Sequence, residues 1–385
     1  MSQQTNLSRI SVMMPWLGQA ETDAVAEVIA SGWVAQGPKT AAFEQAFAAH
    51  QQVAHAVATS NCTTALHLAL IVAGVKAGDD VVLPSFSFVA TANAATYVGA
   101  RPVFADVDPA TGNVTAQTVA RALTGNTTAI IAVDQGGMPL DLAPLRELCD
   151  ERGLVLIEDS ACGAGATYRG APVGVGADLT AWSFHPRKVL TTGEGGMLTT
   201  NNEQWAARAR RLREHAMDLS ATQRHASVLA PQESYGEIGY NFRMTDMQAA
   251  VGLVQLGKLN QMVARRRELA ARYQRELAGV PGLRCIEDPE YGTSSFQSFW
   301  IEVGRDFAVD REGLLAHLAQ DRISARRGIM AAHLQPAYAG HSGSSAPLPV
   351  TERLTATTLI LPLYHQLEEH EQDRVIASVL AAGGV

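Results

Sequence analysis

Cysteine is scarce in this sequence. Only four of the 385 residues are cysteines, and none of them stands in a C-x-x-C pair. They are Cys62, Cys149, Cys162 and Cys285. Such wide spacing excludes a disulfide-rich scaffold and provides no zinc or redox motif. We therefore expect reduced thiols, a cytoplasmic location and no metal centre.

Charge and long apolar runs are also limited. Charged residues make up 18% of the chain, the formal net charge is −8, and the lysines and arginines form no long block. A nucleic-acid groove or an anionic membrane surface is therefore not expected to be a partner. No apolar run approaches the ~20 residues that span a bilayer, and the N-terminus lacks the apolar segment of a signal peptide. We expect a soluble protein without membrane segments.

Hydrophobic residues are plentiful, at 47%, and 385 residues exceed what one simple core requires. Strand and helix patterns alternate between residues 53 and 157. The predicted elements are strand 53–58, helix 63–73, strand 80–84, helix 89–97, strand 102–105, helix 116–123, strand 128–133, helix 142–152 and strand 154–157. Such alternation predicts a mostly parallel sheet with helices on both faces, which binds ligands at the carboxyl ends of its strands.

Polar and aromatic side chains follow several of these strands. Residues 59–64 open a helix whose free N–H groups suit a phosphate, although they also fit an ordinary N-cap. Phe88 follows the strand ending at residue 84, where it could lie on a planar ring or belong to the core. Glu158 and Asp159 follow another strand. Asp159 could be a carboxylate of the site, a helix cap or a surface acid.

A lysine stands between a predicted buried strand and a glycine turn in residues 180–196. Partial burial lowers the pKa of a lysine, and the neutral amine can then form an imine with an aldehyde. We therefore expect Lys188 to have a lowered pKa; the alternative is a surface lysine in a loop.

Together these residues match the needs of one cofactor. Pyridoxal phosphate needs a lysine for its aldehyde, a carboxylate for its ring nitrogen, a phosphate-binding turn and a support for its ring. Lys188, Asp159, residues 60–64 with Ser183, and Phe88 provide these groups at predicted strand ends. The combination is far more specific than any single part.

The residues resemble the DegT/DnrJ/EryC1/StrS sugar aminotransferases, which belong to fold type I of the pyridoxal-phosphate enzymes. The matching segments are residues 32–34, 61–70, 158–159, 183–188, 191–196 and 239–250. The resemblance implies an α/β fold: a large cofactor domain with a mostly parallel seven-stranded sheet and helices on both faces, and a smaller C-terminal α/β domain. We place the large domain at residues 1–257 and the small domain at residues 258–385.

The resemblance also implies roles for individual residues. Lys188 would hold pyridoxal 5'-phosphate covalently and act as the catalytic base, Asp159 would pair with the ring nitrogen, and Phe88 would stack on the ring. The other residues implied to bind the cofactor are Cys62, Thr63, Ser183 and Asn241. Asn241 would reach the phosphate of a neighbouring subunit, so that the resemblance implies a homodimer with shared active sites.

This chain departs from the pattern of its relatives at two positions. Cys162 stands where relatives often carry glutamine or histidine near the 3-oxygen of the cofactor, so it is either a cofactor contact or a small core residue. Relatives also tend to show Val-His after the fourth strand, where this chain has Val133 and Asp134. Both changes lie close to the expected pocket.

The resemblance implies a transfer of an amino group from an amino acid, glutamate or glutamine, to a nucleotide-linked keto sugar. His185, Arg327 and His333 are the candidate substrate contacts. The arginine could instead be solvated or pair with an acid such as Asp321, and His333 could be satisfied inside the small domain. The alternatives are an acceptor that is a cyclitol ketone, a dehydratase or aldolase with the same cofactor, and a non-catalytic nucleotide-binding relative. The presence of Lys188 argues against family members that replace this lysine to dehydrate sugars.

Overall fold

A computed structural model of the protein describes residues 8–218, 232–339 and 346–385. Its helices are α1 Gln19–Ser31, α2 Pro38–His50, α3 Cys62–Val72, α4 Ala90–Tyr97, α5 Ala116–Ala122, α6 Leu142–Arg152, α7 Glu203–Leu212, α8 Asp246–Glu276, α9 Arg311–Gln320, α10 Pro349–Thr357 and α11 Glu369–Gly383. Its strands are β1 His55–Thr59, β2 Asp80–Pro84, β3 Arg101–Ala105, β4 Thr127–Val133, β5 Val155–Asp159, β6 Thr167–Tyr168, β7 Ala171–Pro172, β8 Leu179–Ser183, β9 Gly196–Thr200, β10 Leu283–Cys285, β11 Gly292–Thr293, β12 Phe299–Val303, β13 Arg326–Arg327 and β14 Thr358–Leu361.

The largest sheet has seven strands in the order β1-β9-β8-β5-β4-β2-β3. The strands from β8 to β3 pair in parallel, whereas β9 runs antiparallel to both β8 and β1. The prediction of a mostly parallel seven-stranded sheet is therefore confirmed. The carboxyl ends of β1, β2, β4, β5 and β8 meet at one edge of this sheet, and the candidate site lies there.

Helices cover both faces of this sheet, as predicted. Val81 and Leu83 of β2 pack in the cluster that contains residues of α3 and α4, whereas Val82 packs in the cluster with residues of α5 and α6. Successive side chains of a strand point to opposite faces, so a strand that is covered on both sides has to be apolar at every position. This explains why the sequence of β2 is a continuous apolar run after Asp80.

A second, antiparallel sheet has the order β10-β12-β14-β13 and shares a core with α9 and α11. The predicted boundary between residues 257 and 258 lies inside α8, a single helix of 31 residues. Ile10, near the N-terminus, pairs with Ile323 beside the second sheet. The division of the chain at residue 257 stays a prediction. Within the described ranges, no helix is both long and apolar enough to cross a membrane.

Candidate active site

Lys188 lies in the loop between β8 and β9, at the strand-end edge of the large sheet. The loop is closed at its base, because Phe184 N–H donates to Gly195 O at 2.9 Å and Thr192 N–H donates to Phe184 O at 2.9 Å. Within it the partly buried Lys188 directs its amine inward, with Nζ 3.1 Å from Cys162 Sγ. The alternative of a solvated surface lysine therefore does not describe this side chain.

The prediction that the pKa of Lys188 is lowered was wrong. Burial by itself lowers the pKa of the ammonium group, but the acidic side chains of Cys162, Cys62 and Asp159 oppose this effect and raise the pKa above the ordinary value of lysine. The sequence pattern indicated the burial of the lysine. It did not predict that Cys162, Cys62 and Asp159 together would outweigh the effect of burial on this amine.

Asp159 is the last residue of β5, and the residue is 4% exposed. Thr91 Oγ1 donates to its Oδ2 at 2.8 Å, and Ala161 N–H donates to its Oδ1 at 3.2 Å. Cys62 Sγ lies 4.0 Å from Oδ1. Burial raises the pKa of this carboxyl, and Thr91, Ala161 and Lys188 oppose the rise. A protonated ring nitrogen would add an opposite charge beside this carboxylate.

The N-terminus of α3 lies at the same edge. Asn61 Oδ1 caps the helix by accepting Thr64 N–H at 2.9 Å, whereas the N–H groups of Cys62 and Thr63 have no acceptor in the described part of the chain. Gly196 permits the close packing of β9 here, because a Cβ on it would lie 2.5 Å from the carbonyl oxygen of Asn61. Free N–H groups at a helix N-terminus bind phosphate.

Ser183 joins this group through the pairing of the strands. It lies opposite Gly196, which in turn lies opposite Thr59, the last residue of β1 before α3. The residues present therefore fit pyridoxal phosphate: an amine, a buried carboxylate and a free helix N-terminus lie at one sheet edge. The thiol of Cys62, which sequence reasoning placed in the phosphate turn, faces Asp159, and burial raises its pKa well above the ordinary value.

Phe88 and His185 lie at the margin of the site. Phe88 is 59% exposed, whereas Phe86, two residues earlier, is buried in the core. Of the two readings of Phe88, the core one is therefore excluded, and its stacking on the cofactor stays a prediction. His185 Nε2 is 3.9 Å from Glu194 Oε1, and burial lowers its pKa while Glu194 opposes the change.

Asn241 is exposed and makes no described contact with Lys188 or Asp159 of its own chain. Its backbone pairs with Glu214, and the carbonyl of the next residue, Phe242, accepts Ser60 N–H at 2.8 Å. The segment is thus anchored beside the start of α3, while the amide side chain has no hydrogen-bond partner among the described residues. Its predicted contact with a neighbouring subunit stays a prediction.

The structure does not bring Arg327 to the lysine. Arg327 is exposed on the edge strand β13, where it forms an ion pair of 2.5 Å with Glu312 of α9. His333 does reach the large sheet, because its Nδ1 lies 2.6 Å from Ser85 Oγ just after β2. Its Nε2 faces Glu352 at 3.4 Å, so that both ring nitrogens have protein partners. The substrate roles of Arg327 and His333 stay predictions.

Sequence reasoning missed several residues around Asp159. Thr91, which holds the carboxylate, is itself hydrogen-bonded to Ser87 Oγ at 2.9 Å, and both are buried. The available signal was a threonine on the apolar face of α4, in the first turn of this helix, directly after the loop that follows β2. Glu158 and Asp134 form a buried acidic pair beneath the turn that carries Cys162. In the described residues, no cluster of histidine, cysteine or acidic side chains could hold a metal ion.

Comparisons with known proteins agree with this geometry. Residues 15–380 match the DegT/DnrJ/EryC1/StrS aminotransferase family. The chain is 38% identical to the dTDP-4-dehydro-2,3,6-trideoxy-D-glucose 4-aminotransferase of Saccharopolyspora spinosa, over 94% of each protein. It is 37% identical to the GDP-perosamine synthase of Caulobacter vibrioides, over 97% of this chain and 98% of that protein.

Solved structures share the whole fold. The aminotransferase TlmJ from Streptoalloteichus hindustanus superimposes with a TM-score of 0.89 at 41% identity, over 97% of this chain and 98% of that chain. A putative sugar aminotransferase from Streptococcus pneumoniae in its PLP form superimposes with a TM-score of 0.91 at 26% identity, over 98% of this chain and 99% of that chain.

Proposed function

Because the chain belongs to the DegT/DnrJ/EryC1/StrS aminotransferase family, we propose that it transfers an amino group from glutamate or glutamine to the keto group of a nucleotide-linked sugar. The protein is an enzyme, and its cofactor is pyridoxal 5'-phosphate. The observation that carries the proposal is the meeting of Lys188, Asp159 and the free N-terminus of α3 at one sheet edge.

Each of these groups has a task in amino transfer. Pyridoxal phosphate supplies an aldehyde that carries the amino group and a ring that takes up electrons. Asp159 would keep the ring nitrogen protonated by its charge, and the N–H groups of Cys62 and Thr63, with the Ser183 hydroxyl, would bind the phosphate. Lys188 Nζ would take the proton from Cα of the donor and deliver it to C4′ of the cofactor.

The acceptor is inferred from the two relatives. One is named for a dTDP-linked sugar and the other for a GDP-linked sugar, and each aligns with more than nine-tenths of this chain. In this chain, the position of His333 supports an acceptor contact. Its ring lies beside Ser85 at the edge of the site, and its side chain is 15% exposed. His185 is a second candidate contact at the margin.

We also propose that the enzyme is a cytoplasmic homodimer with shared sites. The exposed amide of Asn241, on a segment anchored at the start of α3, supports a contact with a partner's phosphate. All four cysteines are free, which supports a reducing compartment.

The test is a screen of nucleotide-linked keto sugars with glutamate, glutamine and other amino acids, in which mass spectrometry detects the aminated product. We expect a mass gain of about one unit when a keto oxygen is replaced by an amino group and one hydrogen. The Lys188→Ala variant is the matched control and should give no product. Product from a free cyclitol ketone with none from any nucleotide-linked sugar would refute the proposed acceptor, and loss of water without gain of nitrogen would identify a dehydratase.

A further inference from the structure

Two buried carboxyl groups face each other behind the candidate active site. Asp134 directly follows β4, and Glu158 precedes Asp159 in β5; their exposures are 0% and 2%. The two side chains interact directly. Two adjacent buried carboxylates repel each other strongly, so such a pair holds one proton between its members.

The surrounding donors show which member carries the proton. Asp134 Oδ2 accepts the Ser160 hydroxyl at 2.6 Å, and its Oδ1 accepts Leu140 N–H at 3.1 Å. Glu158 Oε1 accepts Gly174 N–H at 3.2 Å. Its Oε2 is buried and has no hydrogen-bond donor among the described residues. A proton on Glu158 turns this orphaned oxygen into a donor toward Asp134. Asp134 is therefore the carboxylate, and Glu158 is the acid.

Ser160 connects this pair to the site. It lies in the turn of residues 159–163, which begins with the candidate ring partner and carries Cys162. A Cβ on Gly163 would lie 2.0 Å from Ser160 Oγ and 2.7 Å from Asp134 Oδ2, so the turn packs directly on the pair. A shift of Asp134 would consequently move both the carboxylate of Asp159 and the thiol of Cys162, which contacts the lysine.

We propose that Asp134, kept charged by the proton on Glu158, is a positioning residue that fixes Asp159 and Cys162 for amino transfer through its hydrogen bond to Ser160. This inference rests on the proposed function. It assigns a task to Asp134, which the sequence showed only as a departure from the pattern of related proteins.

Stabilisation of the fold does not explain why Asp134 is present as a buried carboxylate. Burial raises the pKa of Asp134 to about 6, although Ser160, Glu158 and Leu140 oppose the rise. A carboxyl whose pKa is higher in the folded protein stabilises the fold at low pH and loses that contribution as pH rises through the folded pKa. The ionised Asp134 therefore lowers stability above about pH 6. The titratable groups that face it are Glu158 and Asp159, with Tyr291 also in its field.

The test compares Asp134→Asn, which keeps the shape and removes the charge, with Ser160→Ala, which removes only the connecting hydroxyl. The exposed Asp150→Asn on α6 is the control for loss of an acid. The donor half-reaction of the loaded enzyme gives kcat and KM for the amino acid. Melting of the cofactor-free protein at about pH 5 and about pH 8 gives a readout that is independent of activity.

We expect Asp134→Asn to lower kcat of the donor half-reaction roughly ten- to a hundredfold with KM unchanged, because the misplaced groups do not bind the donor. Its melting temperature at pH 8 should equal or exceed that of the wild type. Ser160→Ala should show a smaller loss in kcat. Glu158→Gln, which still donates to Asp134, should lose less than Glu158→Leu.

An unchanged kcat in Asp134→Asn would overturn the inference, and so would a fall in kcat that follows a lower melting temperature at pH 8. Measurements on the wild-type protein distinguish a failure of the proposed function from a failure of the positioning role of Asp134. If it neither takes up pyridoxal phosphate nor converts any donor, the proposed function fails; if it does both and Asp134→Asn does so equally well, only the positioning role fails.

Discussion

Thr91 Oγ1 donates a hydrogen bond of 2.8 Å to Asp159 Oδ2, and this bond joins α4 to the end of β5 inside the candidate site. Because the Thr91 hydroxyl has one hydrogen, its second contact, with Ser87 Oγ at 2.9 Å, must be accepted from the serine. The loop after β2 therefore supports the carboxylate through a directed chain of two hydrogen bonds.

Replacement of Thr91 should show how much these two hydrogen bonds contribute to the reaction rate. Thr91→Val keeps the shape and removes the donor, and we expect about a tenfold fall in kcat of the donor half-reaction, since hydrogen bonds to charged groups contribute about 1.5–3 kcal/mol. Thr91→Ser is the matched control and should retain most of the rate. Equal rates for the valine and serine variants would show that the bond does not orient Asp159.

Asp159→Asn should retain pyridoxal phosphate and lose roughly a hundredfold or more in turnover, because a neutral amide does not hold the ring nitrogen protonated. Cofactor content is measured by absorbance, and turnover by product formation. A purely structural turn residue would behave differently: the variant would lose about 1 kcal/mol of stability and keep its chemistry. Near-normal turnover in a stable Asp159→Asn protein would support that structural role.

Borohydride reduction of the yellow, cofactor-loaded protein should leave a pyridoxyl group on Lys188, because reduction converts an imine into a stable amine. Peptide mass spectrometry locates the group. Lys188→Ala should fold and lose turnover roughly a thousandfold or more. Lys76→Ala is the control, since Lys76 has 77% of its side chain exposed on the surface. A pyridoxyl group on any other lysine would show that Lys188 is misassigned.

Subunit exchange should reveal the predicted role of Asn241. In a heterodimer of Lys188→Ala and Asn241→Ala chains, a shared-site arrangement places both lesions in one site and leaves the other intact. Random exchange should then restore about a quarter of wild-type activity, since about half of the dimers are mixed and each has one working site. Lys188→Ala mixed with Asp159→Asn is the control, because both residues belong to one chain's site and no activity should return. Proven exchange without recovery in the first mixture rules out sharing.

The ion pair between Asp80 and Arg101 should make stability depend on pH. Arg101 Nη2 and Nε contact the buried carboxylate at 2.6 and 2.8 Å, and the arginine's hydrogen bonds lower the pKa of Asp80. A lowered carboxyl pKa stabilises the fold above the ordinary aspartate value, and the contribution is lost as pH falls through the folded pKa. Asp80→Asn should reduce the free energy of unfolding at pH 7 by about 1–3 kcal/mol, because Arg101 is half exposed and solvent screens the pair.

Urea unfolding at about pH 7 and about pH 3 measures this difference, which should shrink at the lower pH. Glu27→Gln is the control, because Glu27 pairs with Lys39 on the surface with 70% of its side chain exposed. Its effect should stay within about 0.5 kcal/mol. A difference for Asp80→Asn that is as large at pH 3 as at pH 7 would show that the ion pair is not its source.

Local sequence patterns were sufficient to predict the elements of the large sheet. The predicted helix at residues 63–73 corresponds to α3, and the predicted strand at residues 80–84 corresponds to β2. Strand and helix periodicity is local, and a strand covered on both faces is apolar throughout. The same patterns predicted that polar residues after several strands would share one edge. The predicted strand at residues 154–157 ended two residues too early, since β5 ends at Asp159.

Tertiary structure alone decided the electrostatics of the site. Burial of Lys188 is a local property, but the sign of its pKa shift depends on Cys162, which lies 26 residues away, and on Cys62 and Asp159. Likewise, Thr91 and Asp159 are 68 residues apart, and Asp134 meets Ser160 across a parallel strand pair. The interaction of two charges depends on their separation and burial, and neither follows from spacing in the sequence. The sequence by itself thus determined the architecture and the reactive groups, whereas the packing of strand ends determined how those groups ionise and which neighbours hold them.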